Sequence, residues 1–305
     1  METEETDPIE WLAQMAVDAE KRIIEQPDQE TTPQNLFLPG FEEIMRAMPN
    51  HIARSSLFAP VARGKKKIHK GVILESRSDA VIKFSGEQLD EAQADVWMQC
   101  MKEAMQKPLG KPVIINRAGF LKEIGRPVGN TQYQWLQRSM EALAFAMLTI
   151  EVSKAGKPKY HIGKNRAIHL IAGFDYDETL EEYTLTIDPR WKTMFDNREF
   201  ALVDWEKRLQ FGKQQDYAKA LQRLIATSSD EIQKYGLEWL KGKLVSEGSE
   251  LRKFKASLLK AANELLRLKI ITKGEIIYNT RKKEEELVLY VPAKSPSKWK
   301  ANHTG

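Results

Sequence analysis

The stretch from Ser249 to Lys269 reads SELRKFKASLLKAANELLRLK. Leu251, Phe254, Leu258, Ala261 or Ala262, Leu265 and Leu268 recur at three- and four-residue steps, the mark of one apolar stripe on a helix. Ser249, Arg252, Lys253, Ala256, Ser257 and Lys260 lie opposite that stripe or flank it, near the first half of the helix. A basic face with small residues between its cations can approach a polyanion closely. Taken alone, such a helix is more often a surface helix whose lysines keep it soluble. Its neighbours change the reading. Leu237 to Leu244 predicts a shorter helix, and Val245 to Gly248 a tight turn in which Gly248 supplies the permissive backbone. Ile270 to Asn279 and Glu286 to Val291 predict a hairpin over the basic tip Thr280-Arg281-Lys282-Lys283. Short helix, turn, long helix and hairpin is the order of a winged helix, in which the long helix enters the major groove of DNA.

Working back along the chain, the same order recurs about 120 residues earlier. Arg117 to Ile124 predicts a short helix, broken by Gly125, Pro127 and Gly129. Asn130 or Thr131 caps the next helix, which runs to about Ala144. Its inner stripe is Tyr133, Leu136, Met140, Leu143 and Met147, and its outer face carries Thr131, Gln134, Trp135 and Arg138. Met147 to Val152, Ala167 to Asp175 and Glu181 to Ile187 read as strands, a long wing plus a return strand. Between the first two lies a basic loop that includes Lys154, Lys157, Lys159, Lys164 and Arg166. Val72 to Leu74, Ala80 to Phe84 and Val113 to Asn116 read as further strands. Gln88 to Gln106, Ala201 to Leu209 and Tyr217 to Ala226 read as helices.

The expected fold is therefore α+β: two tandem winged-helix domains behind a disordered N-terminal tail. Residues 1–40 form the acidic tail, 41–189 the first domain, 190–293 the second and 294–305 a basic C-terminal tail. The candidate DNA contacts of the second domain are Ser249, Arg252, Lys253, Lys255, Ser257 and Lys260 on the helix, with Lys273, Arg281, Lys282 and Lys283 on the hairpin. Those of the first are Asn130, Thr131, Gln134 and Arg138, with Lys157 and Lys159 on the basic loop.

A chain of 305 residues is comfortable for two domains, and 42% hydrophobic residues suffice for their cores. No apolar run approaches the ~18 residues of a membrane span, and the acidic N-terminus has no signal-type segment. The single Cys100 sits in a helical pattern and reads as a small core residue in a reducing compartment, so a cytoplasmic location is expected. The chain has 47 bases and 43 acids; residues 1–33 hold ten of the acids and two of the bases, leaving 45 bases against 33 acids in the rest. A basic body with an acidic tail suggests a nucleic-acid binder.

The sequence offers no catalytic motif. Its six Gly-Lys pairs are followed by Lys, Pro, Pro, Asn, Gln and Leu, so a P-loop has no hydroxyl for Mg²⁺. No Cys/His spacing fits zinc, and the five histidines contain no His-x-His pair. A non-enzyme with neither metal nor cofactor is expected.

Several strings carry a family resemblance. Met45-Arg46-Ala47-Met48-Pro49-Asn50, then Ala53-Arg54-Ser55 and Leu57-Phe58, resemble the start of the conserved part of TrfA-type plasmid replication initiators. The similarity continues through Pro108-Leu109-Gly110-Lys111-Pro112, the first helix–turn–helix with Tyr133 and Leu143, and Trp205-Glu206-Lys207. It reaches the opening stretch through Tyr235, Leu237 and Leu244, and Arg252 with Lys255, covering roughly residues 40–292. The Met45–Asn50 string is the most specific part. The resemblance implies two winged-helix domains that bind repeated duplex sites (iterons) in a plasmid origin, help open an adjacent A+T-rich segment and recruit the host's replicative helicase. It also implies a clamp-binding motif of the form Gln-Leu-[Ser/Asp]-Leu-Phe. Here Pro33-Gln34-Asn35-Leu36-Phe37 keeps Leu36 and Phe37, with Gln34 displaced by one position.

The expected partners are thus double-stranded origin DNA, one strand of it once opened, the replicative helicase, the sliding clamp, the host initiator and a second copy of the chain. Phosphate neutralisation would supply most of the affinity and make it salt-sensitive, and base edges the specificity. Two rivals belong to other classes: a winged-helix repressor that binds an operator, and a protein scaffold whose lysines only solvate it.

Overall fold

The sheet orders show the internal repeat more directly than the helices do. The structure is a computed structural model and describes residues 38, 43–61, 66–154, 157–163, 167–196, 199–246 and 248–293. All belong to one compact unit, Phe37–Gly305. Gln34, Leu36, Phe37 and the two tails, apart from Leu38, lie outside the described residues.

The chain opens with β1 (Met45–Pro49), α1 (Asn50–Arg54), β2 (Phe58–Ala59), β3 (Ile68–Ile73), β4 (Ala80–Glu87) and β5 (Leu89–Asp90). The first repeat follows: α2 (Glu91–Ala104), β6 (Val113–Asn116), α3 (Arg117–Glu123) and α4 (Asn130–Phe145). Then come β7 (Met147–Lys154), β8 (Lys157–Ile162), β9 (Ile168–His169) and the hairpin β10 (Gly173–Asp177) with β11 (Glu182–Thr186). A 3₁₀ turn (Pro189–Trp191), α5 (Lys192–Asp196), β12 (Phe200–Asp204) and α6 (Trp205–Leu209) lead to the second repeat. That is α7 (Asp216–Ile225), β13 (Ile232–Gly236), α8 (Leu237–Lys243), α9 (Leu251–Arg267), β14 (Lys273–Asn279) and β15 (Glu284–Tyr290). The three-stranded sheets run β10-β11-β6 and β13-β15-β14. In each, the strand before the helix pair joins the second strand of the hairpin.

The helix–turn–helix corners match in detail. In the first, Gly125 N–H donates to Lys122 C=O and Arg126 N–H to Leu121 C=O, at 2.9 and 2.8 Å. In the second, Val245 N–H donates to Gly242 C=O and Ser246 N–H to Lys241 C=O, at 3.1 and 2.8 Å. This is a Schellman-type stop, which needs a left-handed residue after the helix. Gly125 takes it at φ 68°; in the second copy Val245 does, at φ 50°. The sequence placed the permissive backbone of this turn at Gly248; the residue in the left-handed region at the corner is Val245.

Several other expectations are corrected. The strands β7 and β8 are not the wing of the first module. They belong to a separate antiparallel sheet, β3-β4-β7-β8, with β9 paired to β7. The hairpin that joins β6 is β10–β11, and β7–β9 lie between α4 and that hairpin. Phe200–Asp204, read as the start of a helix, is a strand paired with β1 from Met45↔Asp204 to Pro49↔Phe200. Its alternating burial fits a strand, and its partner lies some 150 residues away, beyond the reach of local periodicity. Leu251 and Met147, placed in apolar stripes, are exposed because they stand at the first positions of α9 and β7.

Two apolar cores result. The second contains Phe254, Leu258, Ala261, Ala262, Leu265 and Leu268 of the expected stripe, together with Ala218, Leu221 and Leu224 of α7. The first contains Leu136, Met140 and Leu143 of α4, Trp97 and Met101 of α2, and also Trp191, Phe195, Val203 and Trp205. The boundary expected at residue 189 therefore falls inside the first core, which extends to Trp205. Leu38 is also buried there. Cys100 is buried beside Met140, its Sγ 3.8 Å from the Met140 Sδ, and burial pushes its thiol well above the ordinary range.

Polar links join the two modules. Lys243, fully buried, donates to Ser55 C=O at 2.9 Å, and Arg54 Nε donates to Thr227 Oγ1 at 2.8 Å. Between α2, α6 and α7 lies a buried group of charges: Glu91, Asp95, Arg208, Arg223 and Lys219.

Candidate nucleic-acid interface

With Phe254, Leu258, Ala261 and Leu265 buried, α9 must turn the opposite arc to solvent. That arc carries Arg252, Ala256, Leu259, Lys260, Asn263 and Arg267, all exposed. The helix is held in place by α7 on one side and β14 on the other. Gly274 permits the close approach of β14: a Cβ there would stand 2.9 Å from the Ala262 Cβ. Asn263 was not singled out from the sequence, although it repeats the spacing of Arg252 and Ala256 at eleven and seven residues.

The cations divide into two groups. Arg252, Lys260, Arg281 and Lys283 form no side-chain ion pair or hydrogen bond among the described residues. The others are engaged. Lys253 pairs with Glu250 at 3.0 Å, Lys255 with Glu285 at 2.6 Å, Lys273 with Glu275 at 2.7 Å and Lys282 with Glu286 at 2.9 Å. Arg267 donates to Glu264 at 2.6 Å. Ser257 Oγ donates back to Lys253 C=O at 3.1 Å, and Ser249 lies in the turn before the helix, its N–H on Ser246 C=O.

Buried Glu286 shapes the hairpin tip. It accepts from Lys282 Nζ and from Asn279 Nδ2, the latter at 3.0 Å, and these donors hold its carboxyl below the ordinary glutamate range. Asn279 Oδ1 accepts from the N–H groups of Arg281 and Lys282, and Lys283 takes a positive φ of 56°. The tip is thus a fixed loop with Arg281 and Lys283 in solvent. The Lys255–Glu285 pair ties the flank of α9 to the same hairpin.

The first module presents a weaker face. The N-cap of α4 is Gly129, with no side-chain cap, so Asn130 and Thr131 do not cap it and remain exposed. They share an exposed face with Gln134 and Arg138. Behind them Arg126 stacks on Trp135 at 3.3 Å and donates to Gln132 Oε1 at 3.0 Å, so Trp135 is committed to packing. Arg117 lies 3.9 Å from the Tyr133 ring centroid and 5.3 Å from that of Tyr176, and pairs with Glu181 at the hairpin tip. That hairpin, from 173 to 186, carries Asp175, Asp177, Glu178, Glu181 and Glu182 and no base. The basic wing expected here is therefore an acidic hairpin. Lys157 and Lys159 stand on β8 of the β3-β4-β7-β8 sheet, and Lys159 is paired with Glu199 at 2.5 Å. Lys164 and Arg166 lie outside the described residues. Among the described residues no His, Cys, Asp and Glu group could hold a metal ion, and no helix is long and apolar enough to cross a membrane.

The profile of the family described as "TrfA protein" matches residues 24–274, most of the chain. The chain belongs to the TrfA family. A plasmid replication initiator protein TrfA from Escherichia coli is 24% identical over 170 residues, which cover 54% of this chain and 43% of that protein. The chain thus matches less than half of that relative's length. Among solved structures, domains 2 and 3 of RctB resemble it with a TM-score of 0.48 at 12% identity, covering 76% of this chain and 94% of that one. A second structure of the same RctB domains gives 0.47 at 12% identity, covering 77% and 95%.

Proposed function

We propose that this TrfA-family protein is a plasmid replication initiator that binds repeated duplex sites in an origin through two winged-helix modules. The observation that carries the reading is the outward face of α9, with Arg252 and Lys260 unpaired beside a fixed hairpin tip that holds Arg281 and Lys283 out. An α-helix fits the major groove, and a basic tip beside it fits the flanking phosphates. On this reading α9 anchors the complex, and α4 adds contacts through Asn130, Thr131, Gln134 and Arg138. The acidic hairpin of the first module adds none.

No hydrolysis is required: binding energy would bend the duplex, favour opening of adjacent A+T-rich DNA and stabilise one released strand. The opened origin then receives the replicative helicase, with the host initiator and the sliding clamp as further partners. Clamp binding would use Leu36 and Phe37.

The test is whether the protein, supplied in trans, maintains a plasmid that carries only the cognate origin, and whether it footprints repeats there. A repressor would footprint an operator and maintain nothing. A scaffold would show no salt-dependent DNA binding.

A further inference from the structure

The buried charges between the modules have a geometry that the DNA-contacting faces do not explain. Glu91 and Asp95 lie on α2, Lys219 and Arg223 on α7, and Arg208 on α6. Arg223 donates from Nη2 to Glu91 Oε1, and from Nε to Glu91 Oε2 at 3.2 Å. Arg208 donates to Glu91 Oε2 at 2.9 Å and to Asp95 Oδ1 at 2.7 Å. Lys219 Nζ donates to Asp95 Oδ2 at 2.6 Å. Backbone carbonyls complete the group: Arg208 donates to Lys219 C=O at 2.6 Å and Arg223 to Phe58 C=O at 3.1 Å. The side chains of Glu91 and Arg223 are wholly buried, and that of Arg208 is 1% exposed.

The position of this group matters as much as its chemistry. In the first module α2 packs directly behind α4, and in the second α7 packs directly behind α9. The charges therefore join the two helices that back the two reading helices. Apolar contacts tolerate sliding, whereas planar guanidinium forks on carboxylates do not. One base pair displaces a groove contact by about 3.4 Å and turns it by about 35°. A slide of that size between α2 and α7 would break the bonds that Arg223 and Lys219 make to Glu91 and Asp95 and leave buried charges unpaired.

We propose that Glu91, Arg223 and Arg208 are positioning residues that fix the number of base pairs between the two contacts on DNA, so that the protein selects sites by spacing as well as by sequence. The inference rests on the reading that both modules contact one duplex site.

The test uses the full chain. Footprinting first locates the two contacts; DNA is then made with one or two base pairs inserted between them. Wild-type protein should lose about tenfold or more in affinity per inserted base pair, comparable to a wrong base pair. Glu91→Gln, and separately Asp95→Asn combined with Lys219→Ala at the less buried edge, should bind the native site more weakly while the insertion penalty shrinks to about threefold or less. A purely structural role would lower affinity for all spacings alike and leave that ratio unchanged. Circular dichroism identifies which variants are folded, and the wild-type arm stands without them. Wild-type tolerance of the insertions, or an unchanged ratio in a folded variant, overturns the proposal alone. Absence of a two-part footprint overturns the functional reading with it.

Discussion

Lys243 provides a prediction that runs against the usual expectation for a lost hydrogen bond. Its side chain is fully buried on α8, with one acceptor, Ser55 C=O, at 2.9 Å. Burial pushes its pKa well below 10.5; Arg223 and Arg54 push the same way, and Glu91 opposes them. The folded chain therefore binds this proton less readily than the unfolded chain does. In the window between the folded value and about 10.4, stability should rise with pH by up to about 1.4 kcal/mol per unit. Lys243→Met keeps the unbranched stem and removes the ammonium. Replacing buried charge by apolar volume commonly gains about 1–4 kcal/mol. Against this, the Ser55 carbonyl loses a donor, at a cost of about 1–3 kcal/mol. Because the ammonium satisfies so few of its donors, the first effect should win by about 1 kcal/mol at pH 7, raising Tm by roughly 2–4 °C. The gap should shrink as pH rises through that window and reverse before its upper end, because wild type gains stability there and the variant does not. Urea unfolding at several pH values measures both quantities. A variant that is less stable than wild type at pH 7, with a pH-independent gap, would refute the reasoning.

Three further outcomes are expected. Gly125→Ala should destabilise by about 1 kcal/mol, since φ is 68° there and the new Cβ would stand 2.9 Å from the Leu209 Cδ2, an exposed side chain able to turn aside. At the matching corner Val245→Asn should gain up to about 1 kcal/mol, because Asn tolerates the left-handed region better than a β-branched residue; thermal melts decide both. Leu258→Ala, at a fully buried site under α9, should cost about 2–5 kcal/mol, with protection by the second module lost first in a footprint.

The second module was largely legible because its information is local. The three- and four-residue steps of α9, the tight corner before it and the basic tip after it all lie within about sixty residues. The repeat was legible for the same reason, through two helix pairs about 120 residues apart. What failed was non-local. The pairing of β12 with β1 and the sheet formed by β3, β4 and β7 depend on partners far apart in sequence, so propensity assigned a helix and a wing instead. At the site, exposure on the helix could be read from periodicity, and Asn263 was missed because the candidate face was drawn only over the first half of the helix, where the cations cluster. Which lysines are already paired could not be read, since Glu285, the partner of Lys255, lies thirty residues away. The buried charges were invisible for a further reason. Arg208 stands in WEKRL, which reads as an ordinary solvated helix until Glu91 and Asp95 arrive from more than a hundred residues upstream.

The most direct test is the salt dependence of binding to a cognate origin repeat. Each phosphate contact contributes about 0.9 to the slope of log affinity against log salt concentration. Removing Arg252, Lys260, Arg281 and Lys283 together by alanine substitution should weaken binding and flatten that slope by about 3, less whatever share of the four reads bases. An unchanged slope in a folded quadruple variant would contradict the claim that α9 and the β14–β15 tip form the main DNA anchor.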